Sequence, residues 1–236
     1  MDKKEINFNK YLIKGAYHWA QVSFSFFKRN IYVISRYKNI ISLIPKKSKK
    51  LKVLDAGCGD GVLSYYIYKQ GHNVYGIDNS KEAILYAKKK LSKYPINFQV
   101  GDVYELPYPD NYFDFSCSTE VIEHLNHPDD FLKELKRVTK PEGKIIITTP
   151  IKNTKIPQDK MHFQEWFIED YKSLILKSFS NSEFKYSHPI FWKEIYSSRF
   201  RFKFFLNLLS LVGYNVFSGF TSSFNTKTLQ FSISRK

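Results

Sequence analysis

Short apolar runs that end at a glycine, a proline or an acid alternate along the middle of this chain with longer segments whose apolar residues return every three or four positions. The runs read as strands buried on both faces, and the periodic segments as amphipathic helices. Strands are predicted over residues 51–54, 73–77, 96–100, 113–117 and 144–149. Helices are predicted over 62–69, 81–91 and 129–140, the last opened by Pro128 and carrying Phe131, Leu132, Leu135 and Val138 on one stripe. Five strands alternating with helices imply a doubly wound α/β fold whose sheet is mainly parallel and joined by right-handed crossovers. Residues 8–44 precede it with recurrent aromatics and aliphatics, from Phe8 and Tyr11 to Ile44, and no glycine after Gly15. They predict two leading helices, closed by Pro45 and a basic turn at 46–50. Late in the chain, residues 204–226 carry no charge, while Arg199, Arg201 and Lys203 stand just before them. Asparagine, serine and glycine interrupt this run and argue against a membrane span. A helix at a membrane interface, one covering an apolar acceptor and one packed on the domain itself all fit.

The chemistry concentrates where the first strand ends, in VLDAGCGDG at 53–61. Gly57, Gly59 and Gly61 follow the strand at alternate positions, and glycine tolerates positive φ and lets a ligand approach bare backbone. A dinucleotide loop needs its third glycine at the sixth position, which here is Val62. Asp55, directly before the loop, offers an acceptor for an amino group where a dinucleotide would place pyrophosphate, so the loop suits a cationic donor. Asp78 ends the second strand, one βαβ step beyond the glycines, where a carboxylate can accept from both hydroxyls of a ribose. It could also cap the helix at 81–91, although Asn79 or Ser80 would serve equally.

VLDAGCGDG resembles the first motif of the class I S-adenosylmethionine-dependent methyltransferases, and the order of later motifs, from residue 51 to about 150, is similar to the type 11 branch of that family. The resemblance implies S-adenosyl-L-methionine as cofactor and a Rossmann-like sheet of seven strands closed by an antiparallel C-terminal hairpin, for which 183–187 and 229–234 are the available segments. It implies Asp55 and the three glycines around the methionine moiety, and Asp78 with Asn79 at the ribose. The GDV tripeptide would hold the adenine through Asp102 and the backbone of Val103, an ordinary Asx turn being the competing role for Asp102. Ser118, at the C-terminal edge of the fourth strand, joins these donor-site candidates. In the same family leading helices often fold over the cofactor, and Tyr17, His18 and Trp19 stand together where such a lid needs them. The domain plan is therefore a helical lid at 1–50 and a methyltransferase domain at 51–236 with an insertion at about 190–227.

Methyl transfer to a hydroxyl needs a base, and His124 and His162 are of the right type because imidazole titrates near neutrality. If 119–126 is a helical turn or two, Glu120, Glu123 and His124 share a face. That face with His162 is similar to the metal site of small-RNA 3′-terminal 2′-O-methyltransferases, which would make these four residues ligands of a divalent metal. The same EVIEH segment also occurs in metal-free enzymes of the type 11 branch that act on quinones, glycans and small metabolites. The expected acceptor is a small molecule, a lipid-linked molecule or a glycan. A metal-dependent RNA methyltransferase and a catalytically silent binding protein are the alternatives.

Composition changes this picture in two respects. Lys and Arg total 37 against 22 Asp and Glu, a net charge of +15, which favours an anionic partner such as RNA or an acidic lipid headgroup. Only six of the 37 are arginines, the better bidentate phosphate readers. Cys58 and Cys117 form neither a disulfide framework nor a metal cluster, and the first residues, MDKKEINFNK, lack the apolar core of a secretory signal. A cytoplasmic enzyme with peripheral membrane contact through the late insertion is the expectation.

Overall fold

A computed structural model of the chain describes residues 10–25, 27–45, 50–153, 159, 161–221 and 227–236. Phe8, most of the basic turn at 46–50 and the end of the uncharged run at 222–226 lie outside the described residues.

The apolar runs form strands β1 (Lys52–Ala56), β2 (Asn73–Asp78), β3 (Asn97–Val100), β4 (Phe113–Thr119) and β5 (Thr139–Pro150), followed by β6 (Ser182–Pro189) and β7 (Lys227–Arg235). They make one seven-stranded sheet in the order β3-β2-β1-β4-β5-β7-β6. Neighbours from β3 to β5 are parallel, while β7 runs antiparallel to both β5 and β6. The two C-terminal strands are therefore antiparallel neighbours, joined by a long insertion.

Alternation along the central strands sends side chains to two cores. Leu54, Phe113, Ile145 and Ile147 pack against α6 (Pro128–Val138) and α7 (Ile168–Ser178). Val53, Phe115, Ile146 and Phe231 pack against α3 (Ile31–Leu43) and α4 (Val62–Lys69). Helix α5 (Lys81–Lys90) adds Ile84 and Ala87 beside Phe98 of β3. Helix α6 begins at Pro128, carries Asp129 and Asp130 in its first turn and Lys136 and Arg137 in its last, and so matches its own dipole at both ends.

The leading segment departs from expectation. It holds three helices rather than two, α1 (Lys10–Lys14), α2 (Tyr17–Gln21) and α3. Gly15, at φ +60°, breaks the first stretch, and Asn30 caps α3 by accepting from the backbone N–H groups of Tyr32 and Val33. The helix predicted over 129–140 ends two residues early, at Val138, because Thr139 and Lys140 already belong to β5. The late insertion folds as α8 (Ile190–Ser198) and α9 (Phe200–Leu209) with one further 3₁₀ turn, Ser210–Val212. No helix among the described residues is long and apolar enough to cross a membrane.

Candidate functional site

Successive parallel strands each end in an acid: Asp55 near the end of β1, Asp78 at the end of β2, and Asp102 two residues beyond β3. All three line one cavity of about 850 Å³ at the C-terminal edge of the sheet, together with Gly57, Gly59, Asn79 and Val103. This is the edge at which open α/β sheets hold their ligands, and the volume lies in the range of small-molecule sites. His124 and His162 line the same cavity.

Two expected donor-site residues lie elsewhere. Gly61 is the left-handed cap of α4, and a Cβ there would press on Phe98 at 2.9 Å, so it serves the packing of α5 and β3 rather than the cavity wall. Ser118 lies within β4, opposite Ile147, fully buried with its hydroxyl unpartnered. Strand alternation turns it away from the cavity, which Thr119 lines instead.

The acids are not equivalent. The Asp55 carboxylate accepts from the Ser64 hydroxyl at 2.6 Å and from the Cys117 thiol. Burial pushes its pKa up to about 7; Asp78 adds to the rise, and the bonds from Ser64 and Cys117 oppose it. Asp78 accepts from the backbone N–H of Gly59 at 2.8 Å and of Ser80 at 2.9 Å, so it braces the glycine loop from the neighbouring strand. Burial raises its pKa as well. The cap of α5 is Ser80, whose hydroxyl accepts from Ala83 N–H. Asp102 accepts from Tyr104 N–H at 2.9 Å, an Asx turn that leaves it on the cavity wall.

Helices α1 and α2 cover the loop. Asp60 accepts from the His18 backbone N–H at 3.0 Å and contacts its ring nitrogen Nδ1 at 3.2 Å, while the Trp19 indole donates to the Asp60 carbonyl at 2.7 Å. Gly59, at φ +55°, passes directly beneath the Tyr11 hydroxyl, with which any Cβ would collide.

The expected helical face at 119–126 does not form. Strand β4 continues to Thr119, Glu120 takes φ +55°, and a single 3₁₀ turn, Ile122–His124, follows. Glu120 pairs with Arg36 of α3 at 3.0 Å. A non-glycine residue held at positive φ costs on the order of 1 kcal/mol, which this buried ion pair and the bond from Glu120 N–H to Thr148 O help to hold. The remaining three do converge: Glu123, His124 and His162 each offer a ligand atom, all within 4.8 Å of one another. Glu123 is fully buried, accepts from the Thr149 hydroxyl at 3.0 Å and is held well above the usual carboxylate range by burial, then by Glu120. His124 donates from Nδ1 to the Met161 carbonyl at 2.8 Å, and burial lowers its pKa to about 4. His162 sets Nδ1 against the carboxylate of Glu165, which is 2% exposed.

Arg36, Asp60 and Glu165 stand outside the site residues that the sequence motifs single out. A lone arginine inside the apolar stripe IYVISRYKNII was the available signal for the first, and the acid inside the glycine loop for the second. Nothing local in the sequence marks Glu165 beyond its three-residue spacing from His162.

Residues 54–147 match a family model described as a methyltransferase domain. The ubiquinone biosynthesis O-methyltransferase of Pelagibacter ubique is 34% identical over 144 residues, covering 60% of this chain and 58% of that protein. The norajmaline N-methyltransferase of Rauvolfia serpentina is 36% identical over 117 residues, covering 48% of this chain and 39% of that protein. The chain spans about half the length, or less, of the curated relatives it matches. Among solved structures, an SAM-dependent methyltransferase from Thermotoga maritima shares the fold with a TM-score of 0.63 at 17% identity, over 96% of this chain and 93% of that one.

Proposed function

We propose that this chain is a class I S-adenosylmethionine-dependent methyltransferase, a reading supported by the methyltransferase-domain match over residues 54–147, and that it methylates a hydroxyl oxygen of a small-molecule, lipid-linked or glycan acceptor. The observation that carries this reading is the convergence on one cavity of three strand-end acids with a half-buried pair of histidines. The acid set fits the donor: Asp55 would face its ammonium group, Asp78 with Asn79 its ribose, and Asp102 with the Val103 backbone its adenine. The donor supplies a methyl group on a sulfonium, a good leaving group for in-line displacement, so the protein's task is positioning and proton removal.

His162 is the better-equipped base. Glu165 holds its Nδ1, which leaves Nε2 to take the hydroxyl proton and the carboxylate to stabilise the resulting imidazolium. His124, with its proton directed to Met161 and its basicity depressed by burial, is the better acceptor of a hydrogen bond that orients the substrate. With the donor bound, the acceptor oxygen would gain the methyl carbon as the bonding pair returned to sulfur, and His162 would hold the proton.

One observation favours a second reading, a metal-dependent RNA 2′-O-methyltransferase: the three convergent ligand atoms of Glu123, His124 and His162. Its fourth expected ligand, Glu120, is engaged by Arg36. Incubation with methyl-labelled S-adenosylmethionine and host lysate, with and without EDTA, separates the two. Label in lipid, glycan or small-molecule fractions that is indifferent to EDTA supports the main reading. Label in nuclease-sensitive material that EDTA abolishes replaces it with the second, and no label in any fraction supports a silent binding protein.

A further inference from the structure

Helix α9 is built inside out. Its inward face carries Leu206 with the polar Asn207, followed by Ser210, all buried, whereas Phe200, Phe204, Phe205 and Leu208 are exposed. The polar residues hold it in place. Asn207 donates to the Arg29 carbonyl and accepts from the Tyr196 hydroxyl, and the Arg29 guanidinium donates to Ser210 Oγ at 2.9 Å. The outward phenylalanines meet those of the segment before α3: Phe27 lies 6.3 Å from Phe200 and 6.4 Å from Phe204, ring to ring, and Arg29 sits beneath Phe24. Phe24 is 82% exposed, Phe27 71% and Val212 82%. Contiguous exposed aromatic and aliphatic surface of this kind marks an interaction site.

Charge identifies the occupant. The segments that supply this face, 22–31 and 199–214, carry Lys28, Arg29, Arg199, Arg201 and Lys203 and no Asp or Glu. Lys28, Arg199 and Arg201 are exposed beside the phenylalanines. A second copy of the same face would bring like charges together. Aliphatic groups such as Leu208 and Val212 have no use on a phosphodiester backbone. An anionic bilayer satisfies both features, with apolar side chains entering the acyl boundary and cations facing the headgroups.

We propose that the Phe24, Phe27, Phe200 and Phe204 face docks this protein on anionic membrane surfaces. Helices α3 and α8, which flank the face, also supply Tyr32, Arg36 and Lys193 to the cavity wall, so docking brings the cavity alongside the lipid. The docking is independent of methyl transfer and stands or falls separately from it.

Sedimentation with large unilamellar vesicles tests the proposal, comparing phosphatidylcholine alone with phosphatidylcholine mixed with phosphatidylglycerol. The full chain sediments with the mixed vesicles and stays in solution with the neutral ones, and binding weakens as salt rises. F200S/F204S lowers the partition at least about tenfold. R199Q/R201Q lowers it about thirtyfold. F24S/F27S, on the other element, repeats the loss, and unchanged far-ultraviolet circular dichroism certifies that each variant is folded. Failure of the wild-type chain to sediment with mixed vesicles overturns the proposal, as does equal sedimentation of all variants. Retention of RNA homopolymer without vesicle binding assigns the face to nucleic acid instead. A dimer that F200S/F204S dissociates, again without vesicle binding, assigns it to a second copy.

Discussion

In the proposed mechanism His162 and Asp55 bear the two proton-dependent tasks of the site, and their surroundings set different expectations. If His162 takes the acceptor's proton, His162→Ala lowers kcat by about 10²- to 10⁴-fold and leaves S-adenosylhomocysteine affinity unchanged. Glu165→Gln, which keeps the shape but removes the charge behind the ring, lowers kcat about tenfold, and steady-state kinetics with labelled donor measures both. Asp55, raised to about 7, behaves in the opposite sense to a salt-bridged carboxylate. The unfolded chain ionises it first, so through this group the ligand-free protein loses stability as pH climbs from about 4 to about 7. A bound ammonium stabilises the carboxylate and reverses that loss. Affinity for S-adenosylhomocysteine is therefore about thirtyfold weaker at pH 5.5 than at pH 8, and Asp55→Asn abolishes the difference; calorimetric titration across that range is the check. Positions like Asp55 and Asp78 could be read from sequence because an apolar run stops at them, which puts an acid at a strand's functional end. Arg36 and Glu165 could not, because their roles arise only when distant elements meet.

At the scale of elements, the clasp between α2 and the glycine loop is the clearest coupling. Asp60→Ala removes the two bonds to His18 and keeps the Trp19 bond to the backbone carbonyl. Amide hydrogen exchange in α1 and α2 rises while that of the sheet is unchanged, and affinity for S-adenosylhomocysteine falls about tenfold, the equivalent of one or two hydrogen bonds. The parallel strands were readable because their runs are short, apolar and sharply punctuated. The stretch at 119–126 misled because its helical spacing was too short to outweigh the continuing ladder of β4 and the left-handed turn at Glu120. Helix α7 carried a usable signal in Ile168, Tyr171 and Ile175, all buried, but the passage before it has no recognisable start other than Phe167. Inverted α9 could not be oriented from its pattern, since hydrophobic residues fill both of its sides.

For the molecule as a whole, the position of β7 governs integrity. It lies between β5 and β6 and buries Leu229 and Phe231 completely. Deleting residues 227–236 removes two fully buried apolar side chains, worth about 1.5–3 kcal/mol each, together with the buried Gln230 and Ser232 and both flanking ladders. Against a typical total stability of about 5–15 kcal/mol this leaves no folded protein, and the truncated chain is expected in the insoluble fraction on expression. Full-length protein carrying the α9 substitutions stays soluble, which separates a structural strand from a surface helix. The order of synthesis adds a kinetic side to this arrangement. Strand β5 leaves the ribosome nearly eighty residues before its neighbour β7, and β6 then waits through the whole insertion for β7, its neighbour in the sheet. Throughout that interval the nascent chain presents the open, apolar edge of Ile145, Ile146 and Ile147, a template for wrong pairing. Slow elongation across 190–226 therefore lengthens exposure to misassembly, and the yield of native protein is expected to follow translation speed and chaperone supply over that stretch more closely than it follows the stability of the finished fold.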